Sequence, residues 1–141
     1  MTGIAKLKII KAVCWVGAFV DALWAAALVT PSLYKILICR PDLVPDLTFR
    51  LTMGVGASLM AGWTVLLVWC AASPVERRAV MLFTVFPIIA GLFVVTTIGV
   101  INANTSTIWL LGKLLVLCAG MITAYKLASG MARENTHEIH N

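Results

Sequence analysis

Charged side chains are scarce in this sequence. Asp, Glu, Lys and Arg make up 12% of its 141 residues, whereas hydrophobic residues make up 61%. In a soluble globular domain, roughly a quarter of the residues are charged and about half are apolar. The composition therefore excludes a soluble domain, and it predicts a protein whose main solvent is lipid.

Histidine is nearly absent, and the cysteines form no recognisable motif. The two histidines, His137 and His140, lie in the polar C-terminal tail, where we expect an ordinary solvated segment and no haem ligand. The sequence has no C-x-x-C pair and no phosphate loop, nucleophile elbow or carboxylate pair, so we expect no metal site, redox dithiol or cofactor. We expect small buried apolar side chains at all four cysteines, which are Cys14, Cys39, Cys70 and Cys118.

Long hydrophobic runs, in contrast, are abundant. They cover residues 9–29, 51–72, 79–101 and 108–128. Each has about 20 residues or slightly more, which lets an α-helix rising ~1.5 Å per residue cross a hydrocarbon core of ~30 Å. We predict an all-α integral membrane protein with a single transmembrane domain over residues 1–141. The first run is longer than the ~7–15 apolar residues of a signal peptide, so we expect it to remain as a membrane anchor.

The basic residues indicate how these spans are oriented. The net charge is +5, but the basic residues lie near the ends of the runs, where they favour anionic lipid headgroups over nucleic acid. One side of the membrane would hold Lys6, Lys8, Lys11, Arg77, Arg78, Lys126 and Arg133, and the other would hold Lys35, Arg40 and Arg50. The positive-inside rule then predicts that both termini are cytoplasmic. We expect the inner membrane of a bacterium.

The connections predict the order of the helices. Residues 73–78 and 102–107 are short enough to make the flanking spans antiparallel neighbours, so we expect an up-down-up-down bundle. The first connection is longer. In it, Thr30 followed by Pro31 predicts the start of a short helix at the membrane interface, and Asp46 is placed to cap the second span. We expect the tail, residues 129–141, to be polar and solvated.

Three ionisable side chains fall inside the runs or within one turn of their ends: Asp21, Arg50 and Lys113. A charge near the bilayer centre costs at least ~2.5–3.5 kcal/mol, so each of them should face protein or water. Under the predicted orientation all three lie in the outer half of the membrane. We therefore predict a buried polar cluster, open to the outer side, in which Asp21 pairs with one of the two cations.

Four further side chains lie near the level of this cluster and are predicted to line it: Trp24, Thr96, Thr97 and Trp109. With two cations against one anion, the cluster would suit an anionic ligand. A neutral lysine could instead exchange protons with the aspartate. The alternative is that the cations extend to the headgroups and the aspartate only fastens two helices.

Two other features concern helix packing. Gly54, Ser58 and Gly62 make one face of the second span nearly flat, and such small residues let two helices approach closely in lipid. We expect this face to pack against another helix, within the chain or in a second copy, and we favour the same chain. Pro87 predicts a kink in the third span, which could serve as a hinge.

Three classes of function remain open at this stage. The first is a protein that binds or transports an ion or small molecule, forming a homo-oligomer and contacting membrane lipids. The second is an accessory or assembly subunit of a larger membrane complex. The third, an enzyme acting on a lipid-soluble substrate, is least favoured because the spans contain one carboxylate and no histidine for acid–base chemistry.

Overall fold

The computed structural model describes residues 3–38, 41, 42, 44, 46–102 and 108–139, with side chains up to residue 134. The helices are α1 (Gly3–Val29), α2 (Pro31–Leu37), α3 (Leu47–Ala72), α4 (Ala79–Phe83), α5 (Ala90–Ile101) and α6 (Ile108–Ile139). The segment Thr84–Ile89, which is interrupted at Phe86, joins α4 to α5. Among the described residues, four stretches are long and apolar enough to cross a membrane: α1, α3, Ala79–Ile101 and the greater part of α6. The predicted bundle of four transmembrane helices is confirmed.

The first connection contains the predicted short helix. Thr30 has an extended backbone (φ −109°, ψ 100°), and Pro31 is the first residue of α2. Proline suits this position because its fixed φ is helical and its missing N–H would have no partner there. Cys39, Arg40 and Pro45 lie outside the described residues. That α2 rests at the membrane interface stays a prediction.

Helix α3 begins at Leu47, four residues before the predicted start at residue 51. The carboxylate of Asp46 accepts a hydrogen bond from the backbone N–H of Phe49 at 2.7 Å. This bond satisfies one of the N–H groups that lack a partner in the first turn of a helix. The predicted cap is therefore present, and Arg50 lies in the first turn of α3.

The third span loses its helical conformation at Phe86, whose φ and ψ are −130° and 101°. The cause is local, since the ring of Pro87 clashes with the preceding residue in the helical conformation and pushes it towards the β region. The sequence predicts a kink at this proline, and the interruption lies there. That it acts as a hinge stays a prediction.

The polar C-terminal tail is helical, and that it is solvated stays a prediction. Helix α6 continues through the polar segment to Ile139. Ala, Met, Arg and Glu in this segment are good helix formers, and no proline follows to stop the helix. Glu134 forms an ion pair with Lys6 of α1 at 3.0 Å, so the two ends of the described chain meet. The side chain of His137, the whole of His140 and residues 103–107 lie outside the description.

Helix α1 packs most extensively on α3 and also contacts α6. Cys14 touches Cys70, Gly17 faces Leu67 and Leu28 faces Gly56. Each step up α1 is matched by an equal step down α3, so the two helices are antiparallel in one constant register. The same register places Asp21 level with Trp63.

Candidate functional site

Asp21 is the central residue of the predicted cluster, and the structure buries it. Its exposed fraction is 8%. It follows Gly17 by four residues and therefore shares the face of α1 that meets α3 and α6. The ion pair found among the described residues joins Lys6 to Glu134, so the structure does not bring Asp21 together with either predicted cation.

Arg50 is too far along the bundle to reach Asp21. The constant register between α1 and α3 puts Asp21 opposite Trp63, and Arg50 precedes Trp63 by 13 residues. At ~1.5 Å per residue this is about 20 Å along the helix axis. Arg50 is exposed in the first turn of α3, which agrees with the alternative that it extends to the headgroups.

Lys113 is nearer to Asp21 but points elsewhere. Gly17 faces Met121 of α6, so Asp21 lies near the level of residue 117, and Lys113 lies one turn beyond. Its Nζ atom sits 3.5 Å from the centre of the Trp109 ring. A cation at this distance from an aromatic face is attracted by the ring quadrupole. The lysine thus points towards the start of α6 and away from the buried carboxyl.

Three of the predicted residues, Trp24, Trp109 and Lys113, line the same feature, a groove of about 840 Å³ between α1 and α6. Its volume falls within the ~300–1,000 Å³ of small-molecule sites. Val13 and Gly120 lie towards one end, and Leu37 of α2 contributes to the other. The lining is apolar except for Lys113, its one charged residue among those described.

The two threonines of the predicted cluster do not line this groove. Thr96 is buried on α5. The hydroxyl of Thr97 donates to the backbone carbonyl of Phe93 at 2.7 Å within its own helix. Such a bond satisfies a hydroxyl in lipid without a partner helix. The seven predicted residues therefore divide into three that share a groove and four that lie elsewhere.

The small-residue face of α3 does not pack within the chain, which corrects the favoured expectation. Gly54, Ser58 and Gly62 are exposed, and no atom lies within 4 Å of a Cβ built on either glycine. The Ser58 hydroxyl donates to the Gly54 carbonyl at 3.1 Å. The glycines at the intramolecular contacts are Gly17, Gly56 and Gly120. Both faces of α3 carry small residues, so composition alone did not identify the one that meets α1.

Two further polar contacts inside the bundle are not predicted from the sequence. The indole N–H of Trp63 donates to the hydroxyl of Thr84 at 3.1 Å, which joins α3 to the third span. Cys14 and Cys70 place their sulfur atoms 3.9 Å apart. The sequence does indicate that Cys14 is buried, because it precedes Asp21 by two helical turns and so shares its face of α1. It does not indicate which residues of the other helices these side chains meet.

No protein-family model matches the chain, and neither a curated protein nor a solved structure is significantly similar to it. The function must therefore be argued from the groove and its chemistry.

Proposed function

We propose that this small multi-pass membrane protein binds an anionic amphiphile, an acidic membrane lipid, in the groove between α1 and α6. The acyl chain would lie along the apolar lining, and the anionic headgroup would meet Lys113. The observation that carries the proposal is that Lys113, the single charged residue among the described lining residues, lies near one end of an otherwise apolar groove.

The chemistry of Lys113 favours an anion. Its contact with the Trp109 ring at 3.5 Å stabilises the ammonium group, but an aromatic ring leaves the positive charge uncompensated. Among the described residues no carboxylate pairs with it. A cation inside a transmembrane helix is costly without a partner, so an anionic headgroup would supply what this end of the groove lacks.

The location favours a lipid over a small soluble anion. Lys113 lies five residues after the first residue of α6, which is about 7.5 Å along the axis at ~1.5 Å per residue. This depth suits the headgroup region reached by a lysine that extends towards the membrane surface. The apolar remainder of the groove suits an acyl chain joined to that headgroup, which a small soluble anion does not have.

Native mass spectrometry tests the proposal on the delipidated protein, titrated with phosphatidylglycerol or phosphatidylcholine carrying the same acyl chains. Both headgroups contain a phosphate, but the choline ammonium cancels the charge of phosphatidylcholine, so the two lipids differ in net charge. The attraction of one lysine to anionic lipid is worth about 1 kcal/mol, and 1.4 kcal/mol is tenfold in affinity. We expect phosphatidylglycerol to bind about fivefold more tightly and Lys113→Gln to abolish this preference. Equal binding of the two lipids by the unmodified protein would refute the proposal.

A matched control for Lys113 lies at the opposite end of the helix bundle. Arg77 also sits over a tryptophan, with its guanidinium carbon 4.0 Å from the centre of the Trp69 ring, and neither residue lines the groove. Arg77→Gln should therefore leave the preference for phosphatidylglycerol unchanged. An equal loss in the Arg77 and Lys113 variants would mean that the protein attracts anionic lipid through its overall charge.

Brominated acyl chains, which quench tryptophan fluorescence on contact, locate the bound lipid. We expect brominated phosphatidylglycerol to quench more strongly than the brominated phosphatidylcholine, and we expect this difference to fall in Trp24→Phe and Trp109→Phe. Trp15→Phe is the control, because Trp15 is exposed on α1 but does not line the groove. An unchanged difference in both groove variants would place the lipid elsewhere.

The exposed face of Gly54, Ser58 and Gly62 favours a second candidate function, assembly with a further transmembrane helix. Its occupant would be a second copy of the chain or a subunit of a larger complex. Close helix contact in lipid requires small residues of this kind. In mild detergent we expect oligomers that Gly62→Leu dissociates. A monomer at every protein concentration, in material purified from its native membrane, would exclude this candidate.

We further propose the inner membrane of a bacterium, with both termini in the cytoplasm. The support is the excess of Lys and Arg in the terminal segments and the 73–78 connection over the first connection. A C-terminal fluorescent protein should fluoresce, and a C-terminal alkaline phosphatase should be inactive. An active phosphatase would show that the C-terminus lies on the opposite side of the membrane.

A further inference from the structure

Two cysteines that lie 56 residues apart in the sequence meet inside the bundle. The sulfur atoms of Cys14 on α1 and Cys70 on α3 are 3.9 Å apart, and neither side chain has any exposed surface. Both are free thiols. The sulfur of Cys70 also lies 3.4 Å from the backbone carbonyl oxygen of Arg77. The pair therefore sits directly beneath the connection between α3 and α4.

The packing of the two helices holds the thiols in place. The contacts of Gly17 with Leu67 and of Leu28 with Gly56 fix the same register that sets Cys14 against Cys70. Gly17 lies within one turn of Cys14 and removes the side chain that would separate the helices. The two sulfurs are therefore constrained to face each other.

We propose that Cys14 and Cys70 are an oxidation site that forms an intramolecular disulfide and joins α1 to α3. A disulfide bond is ~2.05 Å long, so the sulfurs must approach by about 1.9 Å. Rotation of the two side chains about their Cα–Cβ bonds is the movement that would close this gap. The reaction breaks two S–H bonds and forms one S–S bond, and it releases two protons and two electrons.

The location selects the class of oxidant. Both sulfurs are buried within membrane-spanning helices, where a hydrophilic oxidant such as oxidised glutathione has no access. A lipid-soluble quinone can accept both electrons and both protons and leave as the hydroquinone. An azo compound can do the same and leave as the hydrazine. Local opening of the 73–78 connection, next to Cys70, would expose the pair to such a molecule.

The test uses the full chain in its membrane with Cys39→Ser and Cys118→Ser, so that the proposed pair are the remaining thiols. The membranes are treated with diamide, a membrane-permeant azo compound, and the protein is examined by intact-mass and peptide mass spectrometry. We expect the loss of two hydrogens, a Cys14–Cys70 linked peptide and reversal by dithiothreitol. We also expect the oxidised protein to melt at a higher temperature than the reduced protein.

Two variants keep the test decisive. Cys14→Ser and Cys70→Ser, each in the same background, should retain the elution volume of the folded protein on size exclusion and should show no loss of two hydrogens. Oxidised glutathione should act far more slowly than diamide on the intact pair. An unchanged mass after diamide treatment, or linkage between two different chains, would overturn the proposal.

Discussion

The two faces of α1 differ in packing although they are similar in composition. On the buried face, Ile10 and Cys14 have no exposed surface, and Gly17 lies tightly against α3 and α6. On the other face, Val13 and Val20 line the open groove shared with α6. Both faces are apolar, so hydrophobicity does not distinguish them. The small residues of the buried face admit the neighbouring helices, whereas the groove face leaves a space open between α1 and α6.

This difference shows how one helix of a small membrane protein can pack tightly on one face and border an open groove on the other. In water an open apolar groove would be costly, but in lipid the acyl chains fill it and the penalty largely disappears. One face of α1 can therefore fix the register of the bundle while the other stays available to a ligand. This comparison makes the two faces separable by mutation.

The largest expected effect comes from adding bulk to the buried face. A Cβ at Gly17 would lie 2.5 Å from the Met121 Cε atom and 3.2 Å from the Leu67 Cδ1 atom, so Gly17→Leu must displace both side chains. Overpacking of this kind costs about 1–3 kcal/mol. Gly91→Leu is the control, because nothing lies within 4 Å of a Cβ there. Unfolding by sodium dodecyl sulfate in mixed micelles measures the difference, and equal stabilities would remove the distinction between the faces.

A smaller effect should follow from the polar contact that lies level with Asp21. Thr84→Val removes the acceptor of the Trp63 indole N–H and leaves that partly buried donor unpaired. Hydrogen bonds between membrane helices contribute ~0.6 kcal/mol on average and at most ~1.7 kcal/mol, and we expect a loss in this range. Thr97→Val is the control, since the Thr97 hydroxyl bonds within its own helix. A larger loss in the control would contradict the assignment.

Asp21→Asn should change stability still less. Breaking a buried ion pair costs about 3–5 kcal/mol, but the structure places neither Arg50 nor Lys113 against Asp21. We therefore expect a loss below ~1 kcal/mol in the same unfolding assay. A loss of 3 kcal/mol or more that disappears when Lys113→Gln is already present would reveal an ion pair, and it would restore the polar cluster predicted from the sequence.

The features predicted from the sequence are those that depend on neighbouring residues. The Asp46 cap, the start of α2 at Pro31 and the loss of helical conformation before Pro87 each follow from the chemistry of a few adjacent residues. The four spans follow from length and composition. Each of these features is decided within about one helical turn or within one helix, so the sequence contains the necessary information.

The features that the sequence did not predict depend on how one helix is rotated against another. Cys14 meets Cys70 and Gly17 meets Met121 across more than fifty residues of chain. Gly54 and Gly56 lie on different faces of α3, and either face could have met α1. Because lipid does not penalise an exposed apolar face, hydrophobicity does not indicate which face of α3 packs against α1. The structure does not place Asp21 against a predicted cation for the same reason, since the ion pair required a helix register that the sequence does not specify.

The smallest expected effect on stability is that of the ion pair near the N-terminal end of α1. Lys6 pairs with Glu134 at 3.0 Å, and their side chains are 23% and 63% exposed. Exposed ion pairs contribute only about 0.2–1 kcal/mol and weaken in salt. Lys6→Gln should therefore lower the free energy of unfolding by no more than this, and the difference should vanish at high salt. Lys8→Gln is the control, because Lys8 forms no ion pair with a described residue. A larger loss that persists in salt would show that α6 is attached to α1 mainly at this end, and the groove would then depend on the ion pair to keep its shape.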